Sequence, residues 1–244
     1  MKMFVFTLFF FNVTLGQVAS DSIKKTTFQK VKPFIIPSAL ITFRVLGIES
    51  DGIKSLNAEI SAEVKEHIDQ KLTIDDFSQY LPAASVYGLN VLGIKGKHNF
   101  KDRTIILGTS YLLLTSTVMP LKSITKVDRP DGSSNNSFPS GHTATAFAGA
   151  EFLWQEYKDV SVWYGISGYL VASGTGFFRM YNNRHWLTDV AAGAGIGIVS
   201  TKLAYLLHPY ISKLFYKNEN HKSSTMLLPF YNGKQGGFGF AMQF

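Results

Sequence analysis

Two stretches without a single charged residue, 104–121 and 161–178, limit what this chain can fold into more than any other feature. As a helix, 18 residues extend about 27 Å, close to the hydrocarbon thickness of a bilayer. Such runs suit helices, either packed into a buried bundle or set in lipid, where every backbone polar group must be satisfied within the segment. Composition agrees with both: 45% of residues are hydrophobic and 17% charged, against about a quarter charged in an ordinary soluble domain. Mean hydropathy is close to zero, at +0.07, so a soluble bundle is the alternative to the membrane-embedded one that the uncharged runs favour.

The flanking segments complete the expectation. Lys2, an apolar run over 4–13 and Thr14-Leu15-Gly16 form the pattern of a cleaved export signal, followed by an abruptly polar leader over 17–32. A buried N-terminal helix is the alternative. The stretch 33–47 is apolar but interrupted by Pro37 and Arg44, as in a short helix or a re-entrant piece. Ile53, Leu56, Ile60, Val64, His67 and Ile68 repeat at helical spacing and predict an amphipathic helix over 53–72. Residues 73–76 look like a helix start, and 80–94 form an apolar stretch containing Pro82 and Gly88. A polar connector covers 95–102, and a turn-rich loop (DRPDGSSNNS) covers 128–137. Helices are expected over 140–157 and 186–207, the latter carrying the small residues AAGAGIG that permit close helix approach. The tail from Met226 reads as a β-hairpin or a loose end. The expected fold is all-α, a bundle of about six helices with its site between helix ends. The divisions are 1–16 for the signal, 17–100 for leader and accessory helices, 101–210 for the core and 211–244 for the tail.

With no cysteine, disulfides, zinc-thiolate sites and thiol nucleophiles are excluded. The net charge of +7 suits a phosphorylated substrate or an anionic membrane surface. Nucleic acid is not expected, because the lysines are scattered and no recognition motif is present.

Three segments converge on phosphate chemistry. In the first, Lys122 and Arg129-Pro130 place two cations seven residues apart. On a continuing helix they would share a face, with Pro130 as the stop. In the second, Phe138-Pro139-Ser140-Gly141-His142 opens a helix after a loop. Its free N–H groups and dipole favour an anion, and Gly141 leaves room for one. Ser140 can cap the helix or donate to the ligand, and His142 stands where it can protonate a leaving oxygen. In the third, Arg179 precedes His185 and Asp189, whose four-residue spacing suits one helical face. An Asp on one imidazole nitrogen would free the other for attack. Arg179 would clamp the phosphate from a preceding loop. Singly these are ordinary: basic residues at a helix C-terminus, a Ser-capped helix, a surface His–Asp pair. Together they supply cations, an anion-ready helix start, an attacking histidine and a protonating one.

Lys122-x6-Arg129-Pro130, Pro139-Ser140-Gly141-His142 and Arg179-x5-His185-x3-Asp189 resemble the three motifs of the type 2 phosphatidic acid phosphatase family. That family shares its fold with bacterial acid phosphatases and vanadium haloperoxidases. The resemblance covers roughly 104–207. It implies that His185 is the nucleophile, oriented by Asp189, that His142 is the general acid, and that Lys122, Arg129, Ser140, Gly141 and Arg179 hold the phosphate. It implies hydrolysis of a phosphate monoester or diphosphate through a phosphohistidine, with neither cofactor nor metal, on the periplasmic side of a membrane. The expected substrate is a phosphorylated lipid, or else a small phosphate ester. Two departures stand out: Phe178 where the family usually has Ser, and Leu187 where Pro is common. Three rival readings remain: a soluble broad-specificity acid phosphatase, a haloperoxidase-like enzyme holding vanadate, and a non-catalytic envelope protein. Transfer of the phosphoryl group to an acceptor other than water would use the same residues.

Outside the motifs, His67, His98, His208 and His221 read as surface or satisfied histidines. Asp75-Asp76 reads as a helix cap rather than a metal pair. Arg184 reads as a substrate contact or a solvated side chain. Lys24, Lys25 and Lys30 are candidate lipid headgroup contacts.

Overall fold

The computed structural model describes residues 31–67, 73–216, 225–231 and 236–242. The predicted signal segment, the leader lysines and His221 lie outside these residues. Two compact units are distinguished, 1–35 and 36–244. Of the first, a single 3-10 turn, Lys32–Phe34, is described together with Val31 and Ile35.

Eight α-helices are described: α1 Ile35–Glu49, α2 Asp51–His67, α3 Ile74–Ser78, α4 Leu81–Val91, α5 Phe100–Thr125, α6 Gly141–Tyr157, α7 Val162–Tyr181 and α8 Leu187–Tyr216. Sequence patterning anticipates about six, because the five-residue α3 is too short to show a period and the stretch that forms α1 reads equally as a re-entrant piece. The chain turns through 99° at the break between α1 and α2, which fits the re-entrant reading of 33–47. The tail forms an antiparallel hairpin, β1 Thr225–Tyr231 and β2 Gly236–Met242, with Leu228 opposite Gly239.

Local chemistry sets the helix starts. The Asn99 side chain accepts the Asp102 N–H at 2.9 Å and caps α5. Ser140 caps α6 and Ser161 caps α7 in the same way. α5 ends where Lys126 turns left-handed, at φ 46°. The helix therefore stops before Arg129, and Pro130 is not its terminator.

α6 is the central helix, packed by α4, α5, α7 and α8. Ala144, Ala146, Ala148, Ala150 and Phe152 on it are fully buried. The small residues of α8 let it approach on two sides. A Cβ on Gly193 would lie 2.5 Å from the Ser140 carbonyl oxygen, and one on Gly197 would lie 2.2 Å from that of Ala144. Gly195 points the other way, with the Pro37 carbonyl of α1 at 2.5 Å from the same imagined atom. The glycines are thus a contact surface for α6 and α1 at once, not for one neighbour.

Two helices are long and apolar enough to cross a membrane, Phe100–Thr125 and Leu187–Phe215, with the bent α1–α2 pair as a third if it counts as one span. The first contains the uncharged run 104–121. The second uncharged run, 161–178, does form α7, but its Gly, Ser and Tyr residues dilute its hydropathy, and α8 is the stronger candidate. Leu112, Met119, Trp163, Leu170, Leu206 and Leu214 are each more than half exposed. Apolar surface of this kind suits a lipid-facing wall.

Candidate active site

The C-terminal ends of α5 and α7 meet the N-terminal ends of α6 and α8, with α3 alongside. Each end brings one part of the three motifs. An open cavity of about 230 Å³ lies here, lined by Thr73, Asp75, Asp76, Arg129, His142, Arg179, Asn182 and Arg184.

His185 is 3% exposed and sits just ahead of α8 rather than on it. Its Nδ1 lies 2.6 Å from the backbone carbonyl of Ser137. A carbonyl only accepts, so Nδ1 carries the proton and Nε2 is the bare nitrogen. The expected direct bond from Asp189 is replaced by a relay. Asp189 Oδ2 accepts the Ser137 hydroxyl at 2.6 Å and the Trp186 N–H at 3.2 Å. The carboxylate thereby fixes the residue whose carbonyl fixes the histidine. The four-residue spacing misleads because His185 lies outside the helix, where the helical face does not extend.

Burial holds the imidazolium of His185 well below its ordinary pKa, and the neighbouring Arg179, Lys122 and Arg129 push it further the same way. His185 is therefore held toward its neutral form. Arg129, in the loop after α5, is likewise held below its usual value, by burial first and then by Arg179 and Arg184.

Arg179 stands in the last turn of α7, not in a loop, and is 7% exposed. Its Nη1 donates to Asp75 and lies 3.9 Å from Asp76. The Nε atoms of Arg129 and Arg179 are buried without a hydrogen-bond partner. Leaving buried guanidinium donors unmatched costs free energy unless an anion arrives to accept them. Lys122 Nζ donates to the Asn136 carbonyl at 2.5 Å, tying the end of α5 to the loop before α6.

Ser140 is fully buried and serves as the cap of α6, its Oγ 2.8 Å from that of Thr143, so of its two expected roles it fills the capping one. A Cβ on Gly141 would meet only Lys122 Cε and Val118 Cγ1, both at 3.9 Å. Packing thus does not demand glycine there, and the space is left toward the Lys122 end of the site. His142 Nε2 lies 2.9 Å from Asp76 Oδ1. Arg184 lines the cavity and donates to Asp131 Oδ2 at 3.2 Å.

Several contributors escape sequence reasoning. Asp75 is 1% exposed and bonds Arg179 and Asn182 across the fold, so neither it nor Asp76 is a cap. Ser137 acts through its backbone, which no side-chain pattern announces. Arg44 on α1 lies 3.7 Å from Asp189 Oδ1 and donates to Thr188 Oγ1 at 3.0 Å. From α2, Asn57 bonds Thr188 and Ser61 bonds Asn183, bracing the loop that carries His185. His98 and His208 are satisfied by Glu156 and Asp102. Asp75, Asp76 and His142 are the one group of three potential metal donors among the described residues, within 4.8 Å of one another. Arg179 pairs with Asp75 and His142 contacts Asp76, so the group is engaged as an ion-pair cluster.

Where the helix ends converge, two arginines with unpartnered buried donors lie in the same site as a buried histidine whose Nε2 is bare. Residues 103–213 match the family model of the PAP2 superfamily. Among curated proteins the chain is similar to lipid A 1-phosphatase of Porphyromonas gingivalis, 35% identical over 187 residues. The match takes in 75% of this chain but 38% of that relative's length. Among solved structures it is similar to LpxE of Aquifex aeolicus, with TM-score 0.47 and 26% identity over 62% of this chain and 95% of that one. It is also similar to a transmembrane PAP2-type phosphatidylglycerolphosphate phosphatase of Bacillus subtilis, with TM-score 0.48 and 25% identity over 72% and 97%.

Proposed function

We propose that this protein is a phosphatase that removes a phosphate group from a membrane lipid through a phosphohistidine on His185, without a metal. The observation that carries this is the bond from His185 Nδ1 to the Ser137 carbonyl, which leaves Nε2 bare in a buried, cationic site. Nε2 attacks phosphorus in line while Arg129, Arg179 and Lys122 offset the charge on the equatorial oxygens. His142 gives its proton to the leaving oxygen. Water then cleaves the P–N bond, with His142 taking the proton back.

A lipid substrate is supported by the membrane-length α5 and α8 beside the site and by the likeness to a lipid A 1-phosphatase. The orientation we propose places the site on the periplasmic side. Lys95, Lys97 and Lys101 are exposed at the start of α5, and Lys158 follows α6. All four lie at the end of the bundle away from the site, about 39 Å along the 26-residue α5. Lys122, Arg129, Arg179 and Arg184 at the opposite end belong to the site itself, which leaves the far-end lysines as the ones the cytoplasmic preference of basic residues acts on.

The test is phosphate release in EDTA from lipid A, phosphatidylglycerolphosphate and phosphatidate in detergent, and from a soluble aryl phosphate, by wild type and His185→Ala. Metal-independent release that favours a lipid and disappears in the variant supports the reading. Release unaffected by the substitution, or none from any substrate, contradicts it.

A further inference from the structure

We propose that Asp76 is a positioning residue for His142, its carboxylate holding the Nε2–H so that Nδ1 is the nitrogen that exchanges a proton with the leaving oxygen. This rests on the reading of His142 as the leaving-group acid.

The Asp76 carboxylate lies 2.9 Å from His142 Nε2, across 66 positions of sequence. An ionised carboxylate only accepts, so the shared proton sits on Nε2. Asp76 is half-exposed, which by itself would make it a loose partner. Its backbone is not loose. The preceding Asp75 is tied to Arg179 and Asn182, and Ser78 bonds Thr175 at 2.7 Å, so both ends of the five-residue α3 are fastened to the last turns of α7 and the residue that follows it. One short helix thus sets a phosphate-binding arginine with one carboxylate and presents the next carboxylate to the second histidine.

The electrostatics explain why His142 needs this partner. Burial lowers its pKa first and Arg179 on α7 lowers it further, while Asp76 and Asp75 on α3 oppose them. Arg129 and Arg184 line the same cavity from its loops, Lys122 approaches from α5, and the Asp189 carboxylate is at the start of α8. Amid four cations, Asp76 is the carboxylate in contact with the ring. In the first step the P–O bond to the leaving group breaks as the P–N bond to His185 Nε2 forms. The Nδ1 proton of the His142 imidazolium moves to the departing oxygen, and Nε2–H stays on Asp76. In the second step Nδ1 takes a proton from the attacking water, and the P–N bond breaks.

The experiment compares wild type, Asp76→Asn and Asp76→Glu on a lipid phosphate, whose alkoxide needs a proton to leave, and on p-nitrophenyl phosphate, whose phenolate does not. Asp76→Asn is expected to lower kcat/KM, which reports the phosphorylation step and not the hydrolysis common to both substrates, about 10- to 100-fold on the lipid, with a much smaller loss on the aryl ester. KM should stay within about twofold. The basic limb of the kcat/KM profile should move to lower pH, and Asp76→Glu should restore part of the rate. In a His142→Ala background, Asp76→Asn should cost nothing further. Equal losses on both substrates, an unmoved basic limb, or an undiminished penalty in the His142→Ala background would overturn the inference. Wild type inert on both substrates overturns the phosphatase reading and this inference with it. Active wild type with an insensitive Asp76→Asn overturns this inference alone.

Discussion

The two ends of the bundle both bury charge, but they treat it differently. At the end away from the site, Glu151 and Glu156 are almost fully buried. Every carboxylate oxygen there is occupied: Glu151 by Gln155, Lys202 and Tyr169, and Glu156 by His98 and Tyr205. At the site end, Asp189 Oδ1 and the Nε atoms of Arg129 and Arg179 are buried with no hydrogen-bond partner, and His185 keeps a bare nitrogen. The far end leaves one buried donor open, Arg103 Nη1, but closes its carboxylates and so holds helices together, whereas the site end leaves a carboxylate oxygen and two guanidinium donors open, at a cost in stability that the rest of the fold offsets.

That contrast can be broken by substitution. The largest effect is expected from His185→Ala, which should lower turnover by on the order of 10⁴-fold or more while leaving the melting temperature nearly unchanged. Arg179→Ala should cost about 10²- to 10³-fold in kcat/KM, read with the same lipid substrate, because a preset donor to the phosphoryl oxygens is lost. At the far end the pattern should invert. Glu151→Ala strands Lys202 and should destabilise the fold by about 3–5 kcal/mol in a detergent denaturation, with turnover per folded molecule retained. Gly197→Ala drives a methyl into the Ala144 carbonyl and should cost about 1–3 kcal/mol in the same measurement.

The smallest expected effect concerns pH. In the proposed mechanism the attacking His185 must be neutral, and its pKa is depressed below 6.5 by burial and by cations. Activity should therefore persist below pH 6.5 and fall only as the pH drops through the depressed value. Arg129→Gln removes one of those cations, so the acidic limb of the kcat/KM profile should move to higher pH. A limb that stays in place would show that Arg129 does not act on His185.

Much of this was legible in the residues. The helical class, the Ser140 cap, the loop at 128–137 and the convergence of Lys122, Arg129, His142, Arg179, His185 and Asp189 follow from pattern and chemistry. The details that were not legible share a cause: they depend on where helices stop. α5 ends at a left-handed Lys126, so Arg129 reaches the site from a loop. α8 begins after His185, so the Asp189 link passes through Ser137. The carboxylates of α3 find partners across the fold, at separations no local spacing encodes. Arg44 interrupts an apolar stretch and was legible only as a break, though it lies against Asp189.

The most direct test is to trap the intermediate. Wild type mixed with radiolabelled lipid phosphate is quenched within milliseconds in alkali, digested and sequenced by mass spectrometry. The account predicts a phosphate on His185 that is stable to base, labile to acid and absent from His185→Ala. An active enzyme that shows no such adduct under single-turnover conditions, or carries the phosphate on another residue, would contradict it.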